Sequence, residues 1–69
     1  MNNKTYAKFI NGTMVQTARL ITLRTGKIAF ETSLFGTKPY EININIPFFD
    51  NEEDAYNWIE KQDKWMVNN

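Results

Sequence analysis

The chain contains no cysteine and no histidine. The first absence excludes disulfides, thiolate nucleophiles and Cys-based zinc sites. The second removes the commonest metal ligand and the one side chain whose unperturbed titration crosses neutrality. Ser33 is the only serine, and no histidine exists to activate it, so nucleophilic catalysis has little to work with. The three glycines, Gly12, Gly26 and Gly36, stand apart from one another, and none belongs to a phosphate-cradling loop. No apolar run approaches the roughly 18 residues of a membrane span. No basic segment followed by an apolar one opens the chain, so a cytoplasmic location is expected and secretion is not. The triplets Asn3-Lys4-Thr5 and Asn11-Gly12-Thr13 are accordingly not expected to carry sugars.

What is present fits one small domain spanning residues 1–69. A single core of this size supplies roughly 3–5 kcal/mol of net stability, and it leaves no volume for a deep substrate cleft. The expectation is therefore no enzyme, no cofactor and no metal. At 42% hydrophobic and 14% aromatic the chain folds rather than staying disordered. Its charges cancel overall but not locally. Residues 1–39 hold six basic side chains against one acid, a net +5, and residues 40–69 hold two against seven, a net −5. Such asymmetry either marks an interaction surface or draws basic strands and an acidic helix together within the fold.

Turn chemistry divides the first two thirds. Asn11-Gly12 suits a two-residue type I′ hairpin loop, where both residues need positive φ. It sets Phe9 opposite Met14 and Lys8 opposite Val15. Thr25-Gly26 read as a second two-residue loop sets Leu23 opposite Ile28 and Ile21 opposite Phe30. A third connection, Phe35-Gly36-Thr37-Lys38-Pro39, returns the chain to Tyr40-Glu41-Ile42-Asn43-Ile44-Asn45-Ile46, which alternates strictly. Pro47 closes that strand. Ile21, Leu23, Ile28, Phe30 and Leu34 then share one face, joined by Tyr40, Ile42, Ile44 and Ile46 if Leu34 pairs with Tyr40. The first hairpin agrees less well: its matching face holds Tyr6, Ile10 and Val15 but also Lys8, Thr17 and Arg19. Either a bulge shifts its register or the ribbon runs past the core.

A helix ends the pattern. Asp50-Asn51-Glu52-Glu53 fits a capping box begun by Asp50. Ala55, Trp58, Ile59, Gln62, Trp65 and Met66 form one stripe, and Glu53, Tyr56, Asn57, Glu60, Asp63 and Lys64 face away. The predicted fold is α+β: a four-stranded antiparallel meander, strands near 4–10, 13–24, 27–34 and 40–47, under one C-terminal helix near 51–65 (β-β-β-β-α).

Two surfaces stand out for function. Phe9, Met14, Ala18 and Leu20 fall opposite the helix, and an apolar cluster there marks a partner site, a homodimer contact or a small second core. The acidic helix face, Glu53, Tyr56, Glu60 and Asp63, is a second candidate for binding a protein partner. Glu52, Glu53 and Asp54 themselves fan around a helix start, where they complement the dipole; their spacing is not that of a calcium loop. The alternative function is nucleic-acid binding through Lys4, Lys8, Arg19, Arg24 and Lys27, with Tyr6 and Phe9 among them to stack bases. Against it, a dedicated nucleic-acid binder usually has a strongly basic balance, and this chain has none.

The passage Phe48-Phe49-Asp50-Asn51-Glu52-Glu53-Asp54-Ala55-Tyr56-Asn57-Trp58-Ile59 resembles one in integrase arm-type DNA-binding domains, small sheets followed by one packing helix. The strands here lack the dense Lys and Arg of that family. Over Phe49–Ile59 and in its architecture the chain also resembles small α+β anti-CRISPR proteins of the type I-F kind, made by bacteriophages and mobile elements. That resemblance implies a phage-encoded inhibitor that binds a host bacterial protein stoichiometrically, without catalysis or cofactor.

Overall fold

The computed structural model describes residues 4–34 and 39–68. Its elements run β1 (Thr5–Ile10), β2 (Thr13–Thr22), β3 (Ile28–Leu34), β4 (Glu41–Ile42), α1 (Glu52–Glu60) and β5 (Trp65–Val67). All pairings are antiparallel, and the strand order is β4-β3-β2-β1-β5. The α+β class holds, with five strands rather than four. Four follow as a meander, and the fifth comes after the helix and pairs with β1.

The first hairpin turns where Asn-Gly requires it. Asn11 and Gly12 take φ of 52° and 80°, and Phe9 sits opposite Met14. One residue further on, the register shifts between Lys8 and Phe9, so Lys8 pairs with Gln16 and Tyr6 with Ala18. The second loop is longer than two residues. Leu23 donates to the Lys27 carbonyl at 2.8 Å and Gly26 to the Leu23 carbonyl at 2.9 Å. Arg24, Thr25 and Gly26 thus form a three-residue loop, with Gly26 at φ 90° supplying the left-handed position. Leu20 therefore pairs with Phe30 and Ile21 with Ala29.

These two departures flank β2 and change parity once each. β1 and β3 keep their expected faces, and only the part of β2 from Gln16 onward turns over. Ala18 and Leu20 move to the helix side, while Thr17, Arg19 and Ile21 move to the other. The core is Tyr6, Ala18, Ile28, Phe30, Ile46, Ala55 and Ile59, with Leu20, Phe49, Tyr56, Trp58 and Trp65 packed against it. An aromatic chain runs through it: Tyr56 to Tyr6 (6.0 Å between ring centroids), Tyr6 to Phe30 (6.3 Å), Phe30 to Phe49 (6.2 Å) and Phe49 to Trp58 (6.1 Å). Two of these contacts are edge-on, at 87° and 84°, the geometry aromatic quadrupoles favour.

The fourth strand is shorter than its alternation predicts. Only Glu41 and Ile42 pair with β3, Ile42 opposite Glu31, one residue out of the expected register. The connection expected over 35–39 lies, for residues 35–38, outside the described residues. After Ile42 the chain turns. Asn43 donates its backbone N–H to the Phe30 carbonyl at 3.0 Å and accepts the Asn45 N–H on its side chain at 2.9 Å. This is an Asx turn, an alternative to the ladder that asparagine side chains offer the backbone. The chain bulges away from β3 and returns at Phe49, which bridges Ile28. Ile46 enters the core, but Ile42 is 40% and Ile44 85% exposed, so those two isoleucines are not core residues. Tyr40 also leaves the helix side: its hydroxyl meets Thr17 Oγ1 at 2.8 Å and its ring lies 4.0 Å from the Arg19 guanidinium.

The helix starts one residue later than a capping box at Asp50 requires. Asn51 is the N-cap, extended at φ −152°, and its Oδ1 accepts the Asp54 N–H at 2.9 Å. Asp50 instead pairs with Lys27, tying the second hairpin loop to the helix start. The helix ends at Lys61 rather than near 65, with Gln62 donating its side-chain amide to the Trp58 carbonyl at 3.0 Å. No basic residue lies in its last turn, so Glu60 and Asp63 oppose the negative end of the dipole. Trp65-Met66-Val67, aromatic and branched, continues as a strand against β1, which would otherwise be an open edge.

Core and turn isoleucines separate in a denaturation experiment. Ile59→Val should cost about 0.5–1.5 kcal/mol in urea unfolding, and Phe30→Ala about 3–5 kcal/mol, enough to abolish folding. Ile44→Ala should stay within about 0.5 kcal/mol of the native chain. Asn51→Ala, which removes the cap, should cost about 1 kcal/mol.

Candidate functional site

The side chains proposed for binding divide between several parts of the molecule. Phe9 and Met14 oppose each other beside the bulge, both half-buried, on the sheet face away from the helix. Leu20 does not join them, because the turned β2 packs it against the core. On the helix, Glu53 is exposed. Tyr56 is half-buried and packs on Tyr6 instead of facing out, on the helix side that also carries Glu60, the acceptor of the Tyr6 hydroxyl. Asp63 is exposed in the turn after the helix. The apolar strand patch and the acidic helix face are thus each broken up by the fold.

Glu60 is the best-held of the acids. It accepts the Tyr6 hydroxyl proton at 2.6 Å, and the Lys4 ammonium stands 3.5 Å from the same carboxylate oxygen. Lys4 also lies 5.1 Å from the centre of the Tyr56 ring. The Tyr6 hydrogen bond, helped by Lys4 and opposed by partial burial, holds the Glu60 carboxyl below the usual carboxylate range. Burial, then the hydrogen bond to Glu60 and its charge, push the Tyr6 phenol well above its ordinary value. Burial and the charge of Glu52 raise Tyr56 as well. Asp50 is held low by its hydrogen bond with Lys27.

The five basic residues do not form a stripe. Lys4 is bound to Glu60, and Lys8 lies 5.9 Å from the Trp65 ring centre on the helix side. Arg19 is on the opposite face, paired with Glu31 and stacked on Tyr40. Lys27 is paired with Asp50. Arg24 is exposed in the second hairpin loop, with no ion pair among the described residues. Much of the charge asymmetry of the sequence is answered inside the domain: each of the three ion pairs among the described residues joins a basic residue of the first half to an acid, two of those acids in the second half.

A different constellation is concave. A groove of about 400 Å³ runs beside β4, lined by Gln16, Thr32, Ser33, Leu34, Pro39, Glu41, Ile42, Asn43, Ile44 and Asn45. Three exposed aliphatics border it: Leu34 at 61%, Ile42 at 40% and Ile44 at 85%. Asn43, one of the lining residues, donates its side-chain amide to Thr32 Oγ1 at 3.2 Å. The alternation of residues 40–46 assigns these isoleucines to the core. The contrary signal was the asparagines between them, which are depleted in strands and enriched in turns. Among the described residues no group of three or more acidic side chains is placed to hold a metal ion, and no helix is long and apolar enough to cross a membrane.

Comparison with protein-family models, curated proteins and solved structures finds no match to this chain.

The Tyr6–Glu60 pair makes stability depend on pH at both ends. Glu60 has a depressed folded pKa, so its contribution is present above the ordinary carboxylate value of about 4.3 and lost as pH falls through the folded value. Tyr6 has a raised folded pKa, so its contribution is present below about pH 10 and lost as pH rises beyond it. Urea midpoints measured at acid, neutral and alkaline pH should therefore fall at both extremes. Tyr6→Phe should flatten both arms, and absorbance titration should find the Tyr6 phenol ionising only as the chain unfolds.

Proposed function

We propose that this chain is a non-catalytic protein-binding module that docks its partner in the groove beside β4. The observation that supports the reading most is Ile44. It occupies the tip of an Asx turn at 85% exposure, where an apolar side chain adds nothing to the core. Leu34 and Ile42 extend the same aliphatic surface, and Gln16, Glu41, Asn43 and Asn45 give it a polar border. An apolar centre inside a polar rim is the common anatomy of protein interfaces. The dispersal of the five basic residues, with Lys4, Arg19 and Lys27 neutralised by acids, gives nucleic-acid binding less to stand on.

The resemblance of Phe49–Ile59 to phage-encoded inhibitors supplies the finer reading. The partner is then a host bacterial protein, bound stoichiometrically in the cytoplasm. The test is capture from bacterial lysate with the whole chain as bait, with and without nuclease. One host protein should be recovered equally in both arms and lost with Ile44→Lys, whose melting temperature should match that of the native chain. Recovery that vanishes with nuclease, together with affinity falling steeply with salt, would instead assign the function to Lys4, Lys8, Arg19, Arg24 and Lys27.

A further inference from the structure

The tip of the first hairpin carries a chemistry independent of the groove. Of the nine asparagines in the chain, Asn11 alone precedes a glycine. Both residues are exposed, and a Cβ built on Gly12 meets nothing within 4 Å. Among the described residues neither the Asn11 side chain nor the Gly12 N–H is held by a hydrogen bond. An uncommitted side-chain amide thus stands next to an uncommitted backbone nitrogen.

The other described asparagines differ. Asn43 accepts the Asn45 N–H at 2.9 Å and donates to Thr32 Oγ1 at 3.2 Å. Asn51 accepts the Asp54 N–H at 2.9 Å and donates to the Asp54 carboxylate at 3.3 Å. Asn57 lies within α1, where helical hydrogen bonding fixes the backbone. The residues that follow these three are Ile44, Glu52 and Trp58, and Asn45 and Asn68 precede Ile46 and Asn69. Each following nitrogen there carries a side chain on its own Cα.

The loop geometry supplies the remaining step. Asn11 and Gly12, at φ 52° and 80°, form a type I′ turn. Rotating the peptide plane between them turns type I′ into type II′, the other common two-residue hairpin turn. In type II′ the first residue keeps φ of about +60° and takes ψ of about −120°, and the second takes φ of about −80°. Glycine adopts either sign of φ, so the flip leaves Ile10 opposite Thr13 and the strands paired. It also swings the Gly12 nitrogen to the Cβ side of Asn11, the arrangement in which it reaches the Asn11 Cγ.

We propose that Asn11 is a site of spontaneous backbone-assisted deamidation, reached in the folded chain through that peptide flip. The Gly12 nitrogen attacks the Asn11 Cγ. The N–Cγ bond forms, the Cγ–Nδ2 bond breaks, and the Gly12 proton passes through solvent to the departing nitrogen, which leaves as ammonia. The five-membered succinimide then takes up one water. Opening at the former side-chain carbonyl gives aspartate, and opening at the Asn11 backbone carbonyl gives isoaspartate, whose main chain is one carbon longer. Either product adds a negative charge to a chain of formal net charge zero. The isoaspartyl product also lengthens the loop that sets the Ile10–Thr13 and Phe9–Met14 pairs.

The test is incubation of the whole chain at mildly alkaline pH, followed over time by peptide mass mapping. The peptide holding Asn11 should gain the mass difference between an amide and a carboxyl faster than any peptide holding another asparagine, with part of the product isoaspartyl. Asn11→Gly, which makes a Gly-Gly loop that type I′ accepts, should fold like the parent and lose that gain. Ile59→Val distinguishes the route. It lowers global stability from the core, away from the loop, so the rate at Asn11 should match that of the parent. A rate that rises with the loss of stability would place the reaction in the unfolded chain and overturn the flip. An Asn11 peptide that keeps its mass, or gains it no faster than the others, would overturn the site.

Discussion

Tyr6 fixes how the sheet and the helix meet. It is fully buried, stands edge-on to Phe30, lies against Tyr56 and donates its hydroxyl proton to Glu60. A phenol in a core needs a partner for its oxygen, and Glu60 supplies one at the helix end where a negative charge is least welcome. Both groups gain: the tyrosine is satisfied, and the carboxylate is held by a donor and by Lys4. The side of β1 that carries Tyr6 therefore has to face the helix. Everything else in the register follows from that parity. A tight Asn-Gly hairpin carried straight through would pair Tyr6 with Thr17. The shift between Lys8 and Phe9 pairs it with Ala18 instead, whose methyl leaves room beside a large ring.

The element order through the third strand, both hairpin positions, the helix start to within a residue and most of the core were legible from turn chemistry and periodicity. The faces of β2 were not. The misfit of Lys8, Thr17 and Arg19 on the expected core face pointed to a bulge in the first hairpin, and the register shift there is that bulge; the additional residue in the second loop left no such mark, and each of the two inverts parity. Here one lies on either side of β2, so the errors cancel for β3 and remain only for Leu20 and its neighbours. The last strand was missed for a different reason. Trp65 and Met66 continue the helical stripe of Ala55, Trp58 and Ile59 by spacing alone, and the demand for a strand comes from the open edge of β1, which no local pattern contains.

The candidate site was legible in part, and the part that failed is instructive. Charge asymmetry between the halves pointed to a surface, yet Lys4, Lys27 and their acids lie far apart in sequence and meet only when the sheet and helix pack. Tyr56 belongs to an outward helical face on a wheel drawn from the Ala55–Ile59 stripe. Its ring contact with Tyr6 of β1 turns it inward. Conversely, Ile42 and Ile44 carry the strongest alternation in the chain and end on the surface, because Asn43 engages the Asn45 N–H and the Phe30 carbonyl where a strand would have continued.

Folding requirements account for most of the apolar residues, which isolates those they do not account for. Phe30, Ile46 and Ile59 are explained by the core they build. Arg19, Glu31, Tyr40 and Thr17 close over the sheet face opposite the helix, so that face is only partly open. Among the described residues seven large apolar side chains are exposed: Ile10, Leu34, Ile42, Ile44, Phe48, Met66 and Val67. Ile44 is the most exposed of them, and a domain with so small a stability margin gains nothing in solubility from it. The two edges of the sheet differ in kind. The β4 side is concave and irregular, because Asn43 takes the Asn45 N–H on its side chain and turns the chain out of the ladder. The β5 side is a short regular strand whose first N–H, at Trp65, is already held by the Gln62 carbonyl in the turn that leads into it.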